Sequence, residues 1–184
     1  MIEEENGVDP RLQAISAAIR VVPHFPKQGI MFNDITTLLL RPKVFKDAVE
    51  FFLERYRDMG ISAVAGIEAR GFIFGPSIAL AIGAKFIPLQ KPKKLPGEVF
   101  SEAYELEYGK DRLEMHIGAV QPGDRVLIFD DLIATGGTLC AAMKLIEQAG
   151  AEVVECACLI GSPKFKGRYK LNGKPVYVLV ECRQ

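Results

Sequence analysis

One stretch decides the fold of this chain: Val126-Leu127-Ile128-Phe129-Asp130-Asp131-Leu132-Ile133-Ala134-Thr135-Gly136-Gly137-Thr138. Its apolar start, its glycine turn and the apolar positions Leu139, Met143 and Ile146 that follow predict a strand, a loop and an amphipathic helix. Backbone N–H groups converge where a helix begins, and the two glycines let the backbone approach an anion closely. We therefore expect a phosphate dianion to bind the turn formed by Ala134, Thr135, Gly136, Gly137 and Thr138.

The two acids in front of this turn, Asp130 and Asp131, need a reason to be there, because carboxylates repel a phosphate. They fit if they accept hydrogen bonds from hydroxyl groups beside the phosphate, and a ribose 5-phosphate carries both kinds of group. Competing phosphate motifs are missing from the sequence: it has no Gly-Lys-Ser or Gly-Lys-Thr, and no G-x-G-x-x-G follows a strand. The remaining alternative is a capped helix with solvated acids, which explains Thr135 but not the pair of acids.

Strand and helix patterns alternate through most of the chain. This alternation predicts an α/β fold, a single domain with a mainly parallel twisted sheet flanked by helices. Ligands of such sheets bind beyond the carboxyl ends of the strands, where the predicted phosphate turn lies. We expect helices over 10–20, 42–59, 72–82 and 137–149, strands over 61–67, 85–89, 125–129, 152–160 and 176–181, and a loop over 130–136.

The segment from Lys91 to His116 breaks this rhythm. It opens with a basic, proline-rich loop, Lys91-Pro92-Lys93-Lys94-Leu95-Pro96-Gly97. Two stretches of alternating apolar and polar residues follow, separated by Gly109-Lys110, and they predict a two-stranded ribbon with a long mobile arm. A long loop beside a ligand site is typical of a lid, so we expect a flexible lid over about 91–116.

Length and composition exclude several classes of function. The chain has 184 residues, enough for one domain over 1–184, and its 23 basic and 23 acidic residues cancel. This balance argues against a nucleic-acid or membrane-surface binder, and the acidic N-terminus is unlike a secretory leader. The cysteines show no zinc or redox spacing, so we expect them to pack in the core of a cytoplasmic protein: Cys140, Cys156, Cys158 and Cys182.

The strand, the two acids and the Thr-Gly-Gly-Thr turn resemble the phosphoribosyl-pyrophosphate motif of the type I phosphoribosyltransferases. Other segments resemble the adenine phosphoribosyltransferases within that family, and plant members most closely. The resemblance spans about residues 10–181 and is carried by Phe25-Pro26, 29–36, 66–76, 91–97 and Leu106-Glu107-Tyr108-Gly109. It implies the type I phosphoribosyltransferase fold, with a base-binding hood over about 23–38 and a β-ribbon lid.

The resemblance also implies the reaction. Adenine and 5-phosphoribosyl-1-pyrophosphate would give AMP and pyrophosphate, as a step of purine salvage. Mg²⁺ would act as cofactor and bind mainly through substrate phosphates, with no direct side-chain ligand expected. The family further implies a homodimer.

Roles for single residues come from the same resemblance. Pyrophosphate would bind Ala69, Arg70, Lys91 and Lys94, with a non-proline cis peptide at Ala69–Arg70. Adenine would bind Met31, Phe32 and Asn33: Phe32 stacks on the purine, and the backbone of the other two pairs with the base edge. Glu107 would accept a proton from the base with Tyr108 beside it, and Arg70, Asp130 and Asp131 complete the catalytic set. Without the resemblance, Phe32 could belong to the core and Arg70 to a surface loop.

Three positions depart from the family pattern. Asn33 and Gln90 stand where many relatives carry Arg, and Gly161-Ser162 stands where relatives usually have Glu-Leu. In those relatives the Leu covers the second face of adenine, so a smaller pair suggests a looser pocket that accepts N6-substituted adenines such as cytokinin bases. The alternative functions are a non-catalytic sensor of phosphoribosyl pyrophosphate on the same fold, and another purine or orotate phosphoribosyltransferase.

Overall fold

The computed structural model describes residues 8–106, 109–165, 167 and 169–183, and they form the predicted α/β fold. A central sheet has the strand order β4-β3-β7-β8-β10-β9, in which all neighbours are parallel except β9 and β10. Two further antiparallel pairs, β1 with β2 and β5 with β6, lie outside this sheet. The elements in chain order are α1 Pro10–Ala18, β1 Arg20–Pro23, β2 Met31–Asp34, α2 Thr36–Leu39, α3 Pro42–Tyr56, β3 Ala63–Ile67, α4 Gly71–Ile82, β4 Lys85–Leu89, β5 Val99–Glu105, β6 Lys110–His116, β7 Arg125–Ile133, α5 Gly137–Gln148, β8 Glu152–Gly161, a 3₁₀ turn Pro163–Phe165, β9 Lys170–Leu171 and β10 Lys174–Glu181.

The side chains of β7 alternate between two hydrophobic clusters, one on each face of the sheet. Val126 and Ile128 pack in the cluster that α5 and the β5–β6 ribbon cover. Leu127 and Phe129 pack on the opposite face, beneath α1, α3 and α4. On that face the fully buried Phe52 lies edge-on to Phe129 with 5.0 Å between ring centroids. Burying such a ring contributes about 1.5–3 kcal/mol, so both faces of β7 help to fix its position.

A topological switch lies between β3 and β7. The chain continues from β3 through α4 to β4 on one side, and from β7 through α5 to β8 on the other. The two helices cover opposite faces of the sheet, so the chain diverges where β3 and β7 end. Such a divergence opens a crevice at the carboxyl ends of the two strands, where α/β sheets bind their ligands.

The hood begins with a hairpin that the sequence did not predict. The first helix ends at Ala18 instead of continuing to 20, and β1 pairs with β2 in the register Arg20 to Asp34. Arg20 Nε lies 2.7 Å from Asp34 Oδ2. The other oxygen, Asp34 Oδ1, accepts hydrogen bonds from the Thr36 backbone N–H at 2.9 Å and from its hydroxyl at 2.7 Å. Asp34 is buried, so it fixes the base of the hairpin to α2.

The predicted ribbon is present as β5 and β6, and its inner residues belong to the core. Tyr104, Leu113 and Met115 are buried in the same cluster as α5. The preceding basic loop is attached to the ribbon by backbone hydrogen bonds in both directions between Gln90 and Glu114, at 3.0 and 2.7 Å. Lid closure stays a prediction, and it would fall on the exposed loop rather than on the packed strands.

Strand β7 is longer than predicted, so Asp130 and Asp131 lie in the strand and not in a loop. Asp130 pairs in parallel register with Cys158 of β8. Cys156 and Cys158 are buried in β8, in agreement with the predicted packing role, and Cys140 and Cys182 are partly buried. Among the described residues, no helix is both long and apolar enough to span a membrane.

Candidate active site

The predicted phosphate turn follows β7 directly. Gly136 precedes α5 with φ of 90°, a backbone conformation that glycine adopts without steric cost. Its left-handed turn lets α5 begin at Gly137, and the Thr135 hydroxyl oxygen accepts a weak hydrogen bond from the Gly137 N–H at 3.4 Å. A cavity of about 110 Å³ opens here, lined by Asp130, Leu132, Ile133, Ala134, Thr135, Gly136, Thr138 and Leu139. The first turn of a helix and its dipole thus face a small, partly polar cavity, which suits an anion.

Of the two acids, Asp130 lines this cavity and Asp131 lies next to it in β7. The Asp131 backbone N–H donates to Asp130 Oδ1 at 2.8 Å, and the Asp131 side chain is buried with 9% of its surface exposed. Burial raises the pKa of Asp130 well above its ordinary value, and the neighbouring carboxylate of Asp131 raises it further. A group that donates hydrogen bonds, such as a sugar hydroxyl, would relieve part of this crowding of negative charge.

Arg70 reaches the same acids from the end of β3. Its Nε lies 2.5 Å from Asp131 Oδ2, and its guanidinium carbon lies 5.7 Å from the centroid of the Phe32 ring. The turn before it contains a non-proline cis peptide, as expected of the family. The predicted position was wrong by one residue, since the cis bond is Glu68–Ala69 and not Ala69–Arg70. The structure therefore brings the phosphate turn, the two acids and the predicted pyrophosphate turn together.

Both predicted lid lysines are paired with carboxylates. Lys94 Nζ contacts Glu68 Oε1, and the backbone N–H of Lys91 donates to Glu68 Oε2 at 2.8 Å. Lys91 Nζ contacts Asp111 on β6. These contacts lower the pKa of Asp111, with Lys91 as the main cause, and raise the pKa of Lys91. Each cation predicted to bind pyrophosphate thus has an acidic partner.

A second, mostly apolar cavity of about 370 Å³ lies under the hood. Phe32 is half-buried there, not part of the main core, and contacts Phe25 edge-on with 5.2 Å between ring centroids. The hood residues predicted to bind a base all line this cavity. Its lining comprises Ile30, Met31, Phe32, Asn33, Leu132, Ile133, Ala134, Ser162, Cys182 and Arg183.

Two lining residues, Cys182 and Arg183, were missed by sequence reasoning. They follow β10, which pairs with β8 in the sheet, and the Cys182 N–H donates to the Gly161 carbonyl at 2.9 Å. Only the strand order brings the end of β10 to the hood, which is distant in sequence. The spacing of residues along the chain therefore carried no signal for them.

The interpretation of Gly161-Ser162 needs a correction. Gly161 is buried in β8, where a Cβ atom would lie 2.8 Å from Ile133 Cγ2 and 2.9 Å from Val178 Cγ2. Packing between neighbouring strands requires this glycine, so it does not widen the pocket. Ser162 does line the cavity and is the residue of the pair that affects its size. Two other predicted site residues, Glu107 and Tyr108, lie outside the described residues.

Comparison with known proteins places this geometry in a family. Residues 34–183 match the model of the phosphoribosyl transferase domain. Adenine phosphoribosyltransferase 5 of Arabidopsis thaliana is 72% identical over 183 residues, which cover 98% of this chain and 96% of that protein. Adenine phosphoribosyltransferase 1 of Triticum aestivum is 68% identical over 174 residues, covering 95% and 96%. The chain belongs to the adenine phosphoribosyltransferase family.

Solved structures of this family share the fold. The adenine phosphoribosyltransferase of Rhodothermus marinus is 45% identical with a TM-score of 0.84, covering 94% of this chain and 99% of that one. The Saccharomyces cerevisiae member, crystallised with an imino-altritol bisphosphate and adenine, is 38% identical with a TM-score of 0.86, covering 94% and 100%. The predicted resemblance, including its plant character, is confirmed.

The donor atoms of the side chains near the site show whether this protein suits Mg²⁺. Across the described ranges, no group of three or more His, Cys, Asp or Glu side chains is placed to hold a metal ion. Mg²⁺ prefers oxygen ligands and usually keeps several waters, with one or two carboxylates plus substrate phosphates completing its shell. Asp130 and Asp131 place carboxylate oxygens at the end of β7, and carboxylates are a kind of donor that suits Mg²⁺.

The raised pKa of Asp130 gives a prediction about stability. An acid whose pKa is raised by folding destabilises the folded state once the pH exceeds its ordinary value of 3.8, and the cost grows until the pH passes the folded pKa. We expect Asp130→Asn to raise the thermal midpoint of the protein without substrate at neutral pH, and to lose this advantage as the pH falls toward 3.8.

Thermal unfolding of both proteins across that pH range measures the difference. Asp111→Asn is the control with the opposite sign, because Lys91 lowers the pKa of Asp111 and the native carboxylate is stabilising. An Asp130→Asn protein that is destabilised at neutral pH, like the control, would contradict the prediction.

Proposed function

We propose that this chain transfers the 5-phosphoribosyl group of 5-phosphoribosyl-1-pyrophosphate to adenine, releasing pyrophosphate and AMP in purine salvage. The observation that carries this proposal is the junction of the two cavities. Leu132, Ile133 and Ala134 line both the small cavity at the helix start and the apolar cavity under the hood. A nucleoside 5′-monophosphate has the matching layout, a phosphate at one end and a flat apolar base at the other.

The sugar phosphate would bind at the end of β7. Its 5-phosphate accepts hydrogen bonds from the backbone of Ala134, Thr135, Gly136, Gly137 and Thr138 and from the two threonine hydroxyls, and the dipole of α5 favours its charge. The ribose hydroxyls donate to Asp130 and Asp131. This assignment explains why two acids are kept beside an anion site.

Pyrophosphate would bind between the β3 turn and the basic loop, with Ala69, Arg70, Lys91 and Lys94 as donors. The three cations contact Asp131, Asp111 and Glu68 in the structure. Binding therefore exchanges protein carboxylates for phosphate oxygens. Release of Arg70 from Asp131 would also free that carboxylate for the ribose.

Adenine would lie in the apolar cavity against Phe32, where stacking contributes about 1–3 kcal/mol per base in comparable sites. The backbone of Met31 and Asn33 would read the edge of the base. Adenine presents an amino donor beside a ring-nitrogen acceptor, whereas hypoxanthine and guanine present the reverse order. A fixed carbonyl and N–H pair rejects 6-oxopurines because their polar groups would be left unpaired.

The reaction itself needs little covalent chemistry from the protein. The bond between the anomeric carbon and pyrophosphate breaks as the ring nitrogen of adenine attacks from the opposite face, and the positive charge that develops on the sugar lies near Asp130 and Asp131. When bound, Mg²⁺ would offset the negative charge of the leaving pyrophosphate. Glu107 would accept the proton that the base loses, with Tyr108 beside it on a closed lid that excludes water.

Assembly and location rest on the sequence alone. We propose a homodimer, as the family resemblance implies, in the cytoplasm, where cysteines outside disulfides are typical. A relative in Arabidopsis thaliana named as chloroplastic is 62% identical over 177 residues, so location varies among similar proteins.

The central prediction is selectivity for adenine over 6-oxopurines and orotate. Mixed with Mg²⁺ and phosphoribosyl pyrophosphate, the protein should release pyrophosphate with adenine but not with hypoxanthine, guanine or orotate. Asp130→Asn/Asp131→Asn should lower kcat by about 10²–10³-fold, because the pair faces developing positive charge. Asp58→Asn, at an exposed position just after α3, is the control and should behave as wild type. Sugar-phosphate binding without turnover of any base would instead support the non-catalytic sensor.

Ser162 gives a prediction about N6-substituted adenines. We expect turnover of benzyladenine as well as adenine, since Ser162 leaves room in a cavity of about 370 Å³. Ser162→Leu should lower kcat/KM for benzyladenine at least about tenfold while changing that for adenine by less than about threefold. Ser162→Ala removes the hydroxyl without filling space and should leave both unchanged. Wild-type protein that rejects benzyladenine would contradict the looser pocket.

A further inference from the structure

The side chain of Asn33 joins two segments that lie 150 residues apart. Its Oδ1 accepts a hydrogen bond from the Arg183 backbone N–H at 3.0 Å, and its Nδ2 donates to the Arg183 carbonyl at 3.3 Å. The same Nδ2 lies 3.4 Å from the Met31 carbonyl, within the hood strand itself. One amide thus pairs with the backbone of Arg183 in the way that a neighbouring strand would.

Both ends of this contact line the apolar cavity. Met31, Phe32 and Asn33 form its hood wall, and Cys182 and Arg183 form a second wall at the end of β10. The second wall is tied to the central sheet because the Cys182 N–H donates to the Gly161 carbonyl at 2.9 Å. The distance between the two walls therefore depends on what connects Asn33 to Arg183.

The hood is a short hairpin, so single side-chain contacts can affect its position. Within the described residues, β2 pairs only with β1, and an isolated two-stranded hairpin is marginally stable in water. Asp34 holds the base of the hairpin to α2, but Met31 at the other end of β2 is exposed. The Asn33 amide lies between Asp34 and Met31, where it can set the angle of β2.

We propose that Asn33 is a positioning residue for the purine: through the backbone of Arg183, its side-chain amide holds the hood at the width that fits the base. This role rests on the proposed function and adds to it, since the earlier expectation for Asn33 concerned its backbone alone. An amide suits the role because it carries a donor and an acceptor together, like a peptide unit, whereas aspartate offers no donor.

The test compares ligands with and without a base. AMP carries one and ribose 5-phosphate does not, so isothermal titration of both separates hood contacts from phosphate and ribose contacts. Asn33→Ala should weaken AMP binding about three- to tenfold, the usual size for loss of one or two partly exposed hydrogen bonds. Binding of ribose 5-phosphate should stay within about twofold, and the KM for adenine should rise with kcat nearly unchanged.

Backbone variants at position 183 test the partner directly. Proline has no N–H, so Arg183→Pro removes the donor to Asn33 Oδ1, while Arg183→Ala removes the side chain and keeps that donor. Relative to Arg183→Ala, Arg183→Pro should weaken AMP binding by a factor similar to that of Asn33→Ala. Asn33→Ala combined with Arg183→Pro should be no weaker than the weaker single variant, because both break one contact.

Each of the other outcomes contradicts the positioning role of Asn33. Equal weakening of AMP and ribose 5-phosphate would mean a general structural role for Asn33, and equal AMP binding by Arg183→Pro and Arg183→Ala would mean that the Arg183 N–H is not used. Asn33→Asp, which keeps the acceptor, serves if Asn33→Ala does not fold and should be weakened in the same selective way. A wild-type protein that binds ribose 5-phosphate but not AMP would contradict the proposed function itself, and with it the positioning role of Asn33.

Discussion

The carboxyl ends of β3 and β7 are the structural constraint on which the rest of the site depends. The strands are paired through Gly66 and Phe129, yet their following helices leave on opposite faces of the sheet. The backbone beyond the strands must therefore separate, and it does so with polar groups exposed on both sides. Everything assigned to substrate binding is placed relative to this crevice: the phosphate turn after β7, the Arg70 turn after β3, and the hood and ribbon around them.

Charge in the crevice is balanced locally, within a chain of zero formal net charge. Arg70, Lys91 and Lys94 would strongly attract a polyanion if they were free, but each contacts a carboxylate. Such partners keep the cations ordered and lower the electrostatic cost of clustering them. In the proposed pyrophosphate site, the affinity for pyrophosphate would be the difference between two sets of ion pairs, which would favour release of the product.

The sequence predicted the parts of the site that lie close together along the chain. Strand, acids, Thr-Gly-Gly-Thr and helix follow one another, so hydrophobic periodicity and turn chemistry were enough to predict the turn between β7 and α5. The ribbon was also predicted, because its alternation of apolar and polar residues is local. Boundaries were less accurate: Asp130 and Asp131 were expected in a loop and lie in β7.

Features that depend on tertiary packing were missed or misjudged. The β1–β2 hairpin is short, and its pairing is set by contacts such as Arg20 with Asp34 rather than by a turn motif. Only the strand order of the sheet brings Cys182 and Arg183 to the apolar cavity under the hood. Gly161 was expected to widen the pocket. Its lack of a side chain is instead explained by close packing against Ile133 and Val178 on neighbouring strands.

A crystal structure of this protein with AMP tests the central claim most directly. The account predicts the phosphate at the backbone N–H groups of 134–138, the ribose hydroxyls on Asp130 and Asp131, and the base in the apolar cavity against Phe32. Arg70 should then have left Asp131. A nucleotide whose phosphate lies elsewhere, or whose base lies outside the cavity under the hood, would contradict the account.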